Sequence, residues 1–379
     1  MIAAVDVKGI KERAIRAALD RGAASVRVAP AAADGESRRR MEAAFSRGDF
    51  EAWSYDGAYA RLASDPAALL RGARSVVCVA VPYATNGSRS NPPLRGRVSN
   101  YAWSGDYHRR LRGLLDAVAR EIDEAAGESV TAVACDTRPL AERAFAARAG
   151  IGWVGKHTNL IVPEHGSFVF LGEIVTTLEL PADEASRKSC GTCARCVEAC
   201  PTRALRGDYT IDANRCISDL TQRTGAIPRA MRPLIGDWVW GCDLCQLVCP
   251  PTIAAGSRAS SEWAPRDPDA ARPPLVALLR LRSGDYERRY RPTAMGWRGG
   301  AVLRRNAAVA LGNALDRSAV GALTESLALD PHPMVRGHVA WALGRIGSPP
   351  ALRALRRQRS LERNGEVLAE IVAALEPFA

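Results

Sequence analysis

Apolar residues along the first 180 positions follow two alternating periods. Residues 10–19 read as an amphipathic helix. Residues 75–81 are a continuous apolar run stopped by Pro82, the mark of a short buried strand. The helical period returns over 107–126, with Leu111, Leu114, Leu115, Val118 and Ile122 on one face. Residues 129–134 read as another strand, 140–149 as a helix stopped at Gly150, and 167–177 as a strand broken at Gly172. Between these elements, 85–97 is rich in Gly, Pro, Ser and Asn and reads as a loop. The mixture predicts an α/β domain over residues 1–180.

The pattern changes after residue 250. A stretch rich in Pro, Ala, Ser and Asp (250–274) reads as a linker. A repeat of 32 residues follows: RRNAAVALGN at 304–313 aligns with RGHVAWALGR at 336–345, and a weaker copy ends at Ala374-Leu375. Paired helices at this period read as HEAT-like repeats, which stack into a curved binding platform. The predicted fold class is therefore α+β multidomain. An α/β domain (1–180) is followed by a ferredoxin-like module (181–255) and then by the linker and helical repeats (256–379).

The middle module is defined by cysteine. Eight of the ten cysteines fall between Cys190 and Cys249. The first run is Cys190-x2-Cys193-x2-Cys196-x3-Cys200-Pro201, and the second is Cys242-x2-Cys245-x3-Cys249-Pro250. In two-cluster ferredoxin modules, three close thiolates hold one cube and the Cys before Pro serves the other. The second run lacks its first Cys, because that position is Val239; Cys216 supplies the missing thiolate. Cys190, Cys193, Cys196 and Cys249 then hold one [4Fe-4S] cluster, and Cys200, Cys216, Cys242 and Cys245 the other. Zinc sites favour two CxxC pairs, and disulfides favour small secreted domains. Cys78 and Cys135 sit in apolar runs and read as small core residues.

Charge refines this picture. The net charge is +11, which suits a polyanionic partner. Nine arginines lie between Arg272 and Arg305, opposed locally by only Asp285 and Glu287, with Tyr286, Tyr290 and Trp297 interleaved. That mixture fits phosphate contact and base stacking; a solvated helix face is the alternative. No run reaches the ~18 apolar residues of a membrane span, and the first 21 residues lack an apolar signal core. A cytoplasmic, monomeric protein is expected.

Residues 135–156 (CDTRPLAERAFAARAGIGWVGK) are similar to the central motif of the epoxyqueuosine reductase family. So are Ser104-Gly-Asp-Tyr-His108, Gly172-Glu173, Arg215-Cys-Ile-Ser218 and Gly241-Cys-Asp-Leu-Cys-Gln246. The resemblance covers essentially the whole chain, and the order of parts matches. It implies reduction of the epoxide of epoxyqueuosine, at the wobble position of tRNA, to the alkene of queuosine, the last step of queuosine synthesis. It implies cobalamin beside the two clusters, bound by the α/β domain, and an unidentified electron donor. It makes Asp136 the proton donor, with a pKa raised by burial beside an apolar cofactor face; N-capping a helix that begins near Pro139 is its plainer role.

The resemblance further places Lys156, Asn159 and Leu160 along the cobalamin, Ser218 and Asp243 between cluster and corrin, and Arg61 as a cobalamin contact. Gln222 and Arg223 approach the tRNA. Turn formation, packing and a solvated helix end are the plain alternatives for these residues. A related cobalamin and iron–sulfur reductase of the reductive dehalogenase kind, acting on a small molecule, is the competing function. A plain electron carrier is a third.

Overall fold

The computed structural model describes residues 6–85, 92–256 and 263–378. Parts of the predicted 85–97 loop and of the 250–274 linker lie outside the described residues. The chain divides into two compact units. One holds residues 1–86, 106–214 and 244–264; the other holds 87–105, 215–243 and 265–379. Among the described residues, no helix is long and apolar enough to cross a membrane.

The first unit is built on an antiparallel sheet of four strands, in the order Ser25–Pro30, Ser75–Pro82, Val169–Thr176, Thr131–Ala134. The run at 75–81 is buried at every position because Ser75–Pro82 is paired on both edges. Alternation along the strand sends its side chains to two faces. Val76, Cys78 and Ala80 join Leu140, Phe145, Ala146 and Ala149 in one apolar cluster. The helix Tyr107–Ala126 packs on the other face, burying Leu111, Leu115, Val118 and Ile122.

Gly172 does not break its strand, as the sequence led us to expect. Val169–Thr176 runs through it, with Gly172 opposite Val79. A Cβ at Gly172 would lie 2.5 Å from Leu115 Cδ1 of the covering helix. The glycine is the notch that lets the helix lie close on the sheet.

In the second unit, the helices Gly300–Ala314, Pro333–Ile346 and Gly365–Leu375 stack in sequence, with Val320–Leu329 and Pro349–Arg359 between them. The 32-residue period reappears as a period of contacts. A Cβ at Gly312 would strike Ala342 at 2.9 Å, and one at Gly344 would strike Ala374 at 2.7 Å. Arg304 Nε donates to Asp330 Oδ2 at 2.7 Å, and Arg336 Nε to Glu362 Oε2 at 2.9 Å. Arg304, Gly312 and Ala342 recur 32 residues later as Arg336, Gly344 and Ala374, and Asp330 is matched by Glu362.

The first repeat helix also grips the short helix Ile217–Gln222, whose N-cap is Cys216. Arg305 is wholly buried and donates to the carbonyls of Leu220, Thr221, Arg223 and Gly225. Asn306 donates to Thr221 O and Val239 O, at 2.7 and 2.8 Å. One repeat later, His338 Nε2 accepts from Ile227 N at 3.0 Å. A buried cation facing a helix C-terminus gains from the dipole and from the open carbonyls. Replacing it by an apolar chain strands several buried carbonyls at once. Arg305→Met is expected to cost on the order of 3 kcal/mol and to lower the midpoint of thermal unfolding followed by circular dichroism; an unchanged midpoint contradicts the anchoring role.

Candidate active site

The strand Thr131–Ala134 ends in a sharp turn. Asp136 adopts φ +51°, in the left-handed region that non-glycine residues seldom occupy. Its N–H donates to Glu142 Oε1 at 2.6 Å, so a carboxyl from the next helix holds the turn. That helix, Glu142–Arg148, is N-capped at Ala141, so Asp136 does not cap it.

Asp136 instead turns toward the start of the helix Tyr107–Ala126. Its Oδ2 accepts from Tyr107 OH at 2.9 Å and stands 2.9 Å from His108 Nε2. Asp106, the N-cap of that helix, faces His108 Nδ1 at 2.7 Å. An imidazole is thus held between two carboxylates. Tyr107 stacks on Phe170 at 4.3 Å, and Phe170 stacks on Tyr83 at 4.2 Å, which makes an aromatic wall beside the acid.

The raised pKa expected of Asp136 is not what this arrangement produces. The hydrogen bond from His108 lowers it, aided by Tyr107 and outweighing burial. Burial lowers His108, but its hydrogen bonds to Asp136 and Asp106 win, and the imidazole is raised. The Asp136 side chain is 55% exposed, and burial, the second-largest influence on it, does not overcome the hydrogen bonds. The strongly perturbed acids lie behind it. Burial, then the Asp136 charge, pushes Glu142 up to about 7. Glu173, wholly buried on the sheet with neither oxygen hydrogen-bonded, is pushed well above the carboxylate range by burial and by Glu142.

In the sequence, Tyr107, His108, Glu142 and Glu173 stand out only as members of longer motifs. The chain separations, such as the 28 residues between His108 and Asp136, leave no local signal of the contact.

The remaining predicted residues of the first unit flank this turn or the cysteines. Arg61 is exposed on the helix Gly57–Ser64, two residues before Ala63, whose carbonyl accepts from Ala141 N at 2.7 Å. Lys156 Nζ donates to Gly191 O at 2.9 Å, beside Cys190. Asn159 O accepts from Gly155 N at 2.9 Å in the hairpin of Trp153–Val154 with Leu160–Ile161. Leu160 belongs to the apolar cluster. On the same hairpin, Trp153 Nε1 and His157 Nε2 are buried without hydrogen-bond partners.

Cys190, Cys193, Cys196 and Cys249 gather together. The Cys196 thiol is raised by burial and then by Cys190 and Cys249; Cys249 is raised by burial, with Cys190 and Cys193 among its neighbours. The short helices Arg195–Glu198 and Leu244–Leu247 pack side by side to bring them there. A cleft of about 550 Å³ is lined by Cys190, Cys193, Arg195, Glu198 and Pro250. Cys200 Sγ accepts from Ala204 N at 3.3 Å.

In the second unit, Ser218 Oγ accepts from Gln222 Nε2 at 3.0 Å. Arg223 Nε donates to Asp219 Oδ2 at 2.6 Å, and only 13% of its side chain is exposed. Asp243 is buried and accepts from Ser99 Oγ and from Asn100 N; burial pushes it up to about 6.

The arginine stretch differs from its sequence appearance. Asp237, Asp330 and Glu325 pair with Arg272, Arg304 and Arg280, and Arg305 is buried. Tyr286 and Tyr290 are buried too, which leaves Trp297, 52% exposed beneath the Arg298 guanidinium, as the accessible ring. A second basic surface escaped notice in the sequence. Arg353, Arg356, Arg357 and Arg359 are exposed on the helix Pro349–Arg359, and among the described residues none of them forms an ion pair.

Family models match at residues 64–137 (epoxyqueuosine reductase QueG, DUF1730), 189–252 (4Fe-4S double cluster binding domain) and 301–376 (HEAT repeats). The epoxyqueuosine reductase of Bacillus anthracis is 36% identical, over 83% of this chain and 84% of its own. That of Staphylococcus aureus is 31% identical, over 98% of each. A crystal structure of epoxyqueuosine reductase with a tRNA-Tyr epoxyqueuosine-modified stem loop superposes with a TM-score of 0.91 at 33% identity, covering 98% of this chain and 99% of that one. The Bacillus subtilis enzyme, with its aspartate catalytic loop swung out of the active site, gives 0.90 at 32% identity, with coverage of 98% and 99%. Relatedness of this degree along nearly the entire length makes the protein a member of the epoxyqueuosine reductase family.

Proposed function

We propose that the protein reduces epoxyqueuosine in tRNA to queuosine in the cytoplasm, as a monomer served by a separate electron donor. The observation that carries this reading is the Asp136 turn, which presents a carboxyl beside an aromatic wall within a family whose solved member holds an epoxyqueuosine-modified stem loop. The domains of the proposal are the α/β part (1–180), the two-cluster part (181–255) and the repeats (256–379).

The thiols fit iron–sulfur ligation. After burial, Cys190 and Cys249 help raise the Cys196 thiol, and Cys190 and Cys193 help raise that of Cys249. For the second set, Cys200, Cys216, Cys242 and Cys245, the proposal rests on spacing. Cobalamin is proposed for the α/β part. The partnerless Nε atoms of Trp153 and His157 suit the polar amide rim of a corrin, on the hairpin that carries Lys156, Asn159 and Leu160. Arg61, Ser218 and Asp243 keep the cobalamin contacts that the resemblance gives them. The electron chemistry is what the bound cofactors supply, since no side chain here has it. The chain's own share is orientation and protons: Asp136, beside the aromatic wall, protonates the oxygen released from the epoxide.

The tRNA is proposed to meet exposed arginines, with Arg353, Arg356, Arg357 and Arg359 added to the Trp297–Arg298 pair, while Gln222 and Arg223 keep their expected place near it. Anaerobically reconstituted protein is expected to carry about eight irons; about four would refute the two-cluster assignment. Asp136→Asn should retain iron and cobalamin and lose about 100-fold or more in turnover of epoxyqueuosine tRNA; full activity would remove the donor role. Reversing charge at Arg356 and Arg357 should weaken tRNA binding and flatten its salt dependence by about two in slope, measured by filter binding across a salt series. An unchanged slope would take the tRNA off this helix.

A further inference from the structure

Turning an epoxide into an alkene releases its oxygen as water, so each turnover consumes two protons. A single carboxyl must be recharged to deliver both. Asp136 meets this demand from an unpromising position, because its neighbours hold it ionised. The adjoining ring, raised by its hydrogen bonds to Asp136 and Asp106 against burial, holds a proton more tightly than an ordinary imidazole.

The geometry around that ring is fully specified. His108 Nε2 lies 2.9 Å from Asp136 Oδ2, and Nδ1 lies 2.7 Å from Asp106 Oδ1. Asp106 is itself fixed, since the same oxygen accepts from His108 N at 3.1 Å. Tyr107 stacks on the imidazole at 4.0 Å and gives its hydroxyl to the same Asp136 oxygen. One third of the His108 side chain is exposed (33%), so the ring reaches water.

We infer that His108 is the group that recharges Asp136, through a relay running Asp106–His108–Asp136. The inference rests on the function proposed above. In the step, the N–H bond at Nε2 breaks and an O–H bond forms at Asp136 Oδ2, leaving a neutral ring and a neutral carboxyl. The carboxyl then gives that proton to the departing oxygen and is again a carboxylate. The ring keeps its Nδ1 proton on Asp106 and takes a new proton at Nε2 from water. No electrons move in either transfer. Asp106 at its own helix start and Asp136 across from it raise the ring against burial; Tyr107 stacks on it, Glu142 lies beyond Asp136, and Arg143 acts on Asp136. Arg112, one turn along, is occupied by Asp116 at 2.7 Å. Because the ring is loaded below its raised pKa and empties above it, turnover falls on the alkaline side.

Two measurements test this. The chain has five histidines, so loss of one ring signal in His108→Gln assigns the His108 resonance by nuclear magnetic resonance, without cofactor or tRNA. Its titration should lie above the ordinary imidazole range and drop in Asp136→Asn and in Asp106→Asn. In turnover, His108→Gln should lose about 100-fold in kcat, keep KM for tRNA, and lose the alkaline limb of the pH profile. Added imidazole should restore part of the activity of His108→Ala. The inference is overturned by a His108→Gln kcat within about twofold of the parent, by a ring titration indifferent to Asp136→Asn, or by failure of imidazole to rescue His108→Ala. If the parent protein leaves epoxyqueuosine tRNA unchanged under reductant, the functional reading has failed, and the titration alone decides whether the relay exists.

Discussion

The site depends on how closely one helix lies on one sheet. Gly172 offers no side chain where Leu115 descends, so the helix Tyr107–Ala126 packs directly on the strand Val169–Thr176. Leu115 stands two turns beyond His108 on that helix, so the approach at Leu115 fixes the height of the helix start. Asp106, Tyr107 and His108 therefore arrive level with the end of the neighbouring strand, where the Asp136 turn begins. Without the notch, one added Cβ would lift the helix and stretch hydrogen bonds that tolerate only a few tenths of an ångström.

A different economy governs the second unit. There a buried guanidinium has carbonyls around it where a carboxylate would be usual. Arg305 works because the helix Ile217–Gln222 ends in unsatisfied carbonyl groups. The arrangement links the repeats to the segment that carries Cys216 and Ser218 without placing a second buried charge there. Desolvation is the cost, and it lowers the Arg305 pKa to about 9.

What could be read from the sequence followed from how local each signal is. The helix 107–126 was legible end to end, because five apolar residues keep its period for twenty positions. The grouping of Cys190, Cys193 and Cys196 was legible because their spacing is short. The strand Ser25–Pro30 was not, since it has six residues and its exposed Arg27 breaks the apolar run. Gly172 looked like a break because nothing nearby in sequence announces Leu115. The arginines looked uncompensated because Asp237 and Glu325 lie 35 and 45 residues from their partners. Asp136 was found by resemblance, whereas its true electrostatic setting came only from the imidazole that folding delivers to it.

The repeated contacts of the C-terminal helices carry a consequence for motion. When each repeat touches only its neighbours, opening starts where neighbours are fewest and proceeds one interface at a time. The helix Pro349–Arg359 has a single layer beyond it, whereas Gly300–Ala314 is clasped on one side by the next repeat and on the other by the 220–239 segment. The arginine-bearing helix is therefore the freer of the two to open. The helix Gly300–Ala314, which grips the segment after Cys216, stays still, so the repeats have a compliant end and a rigid end.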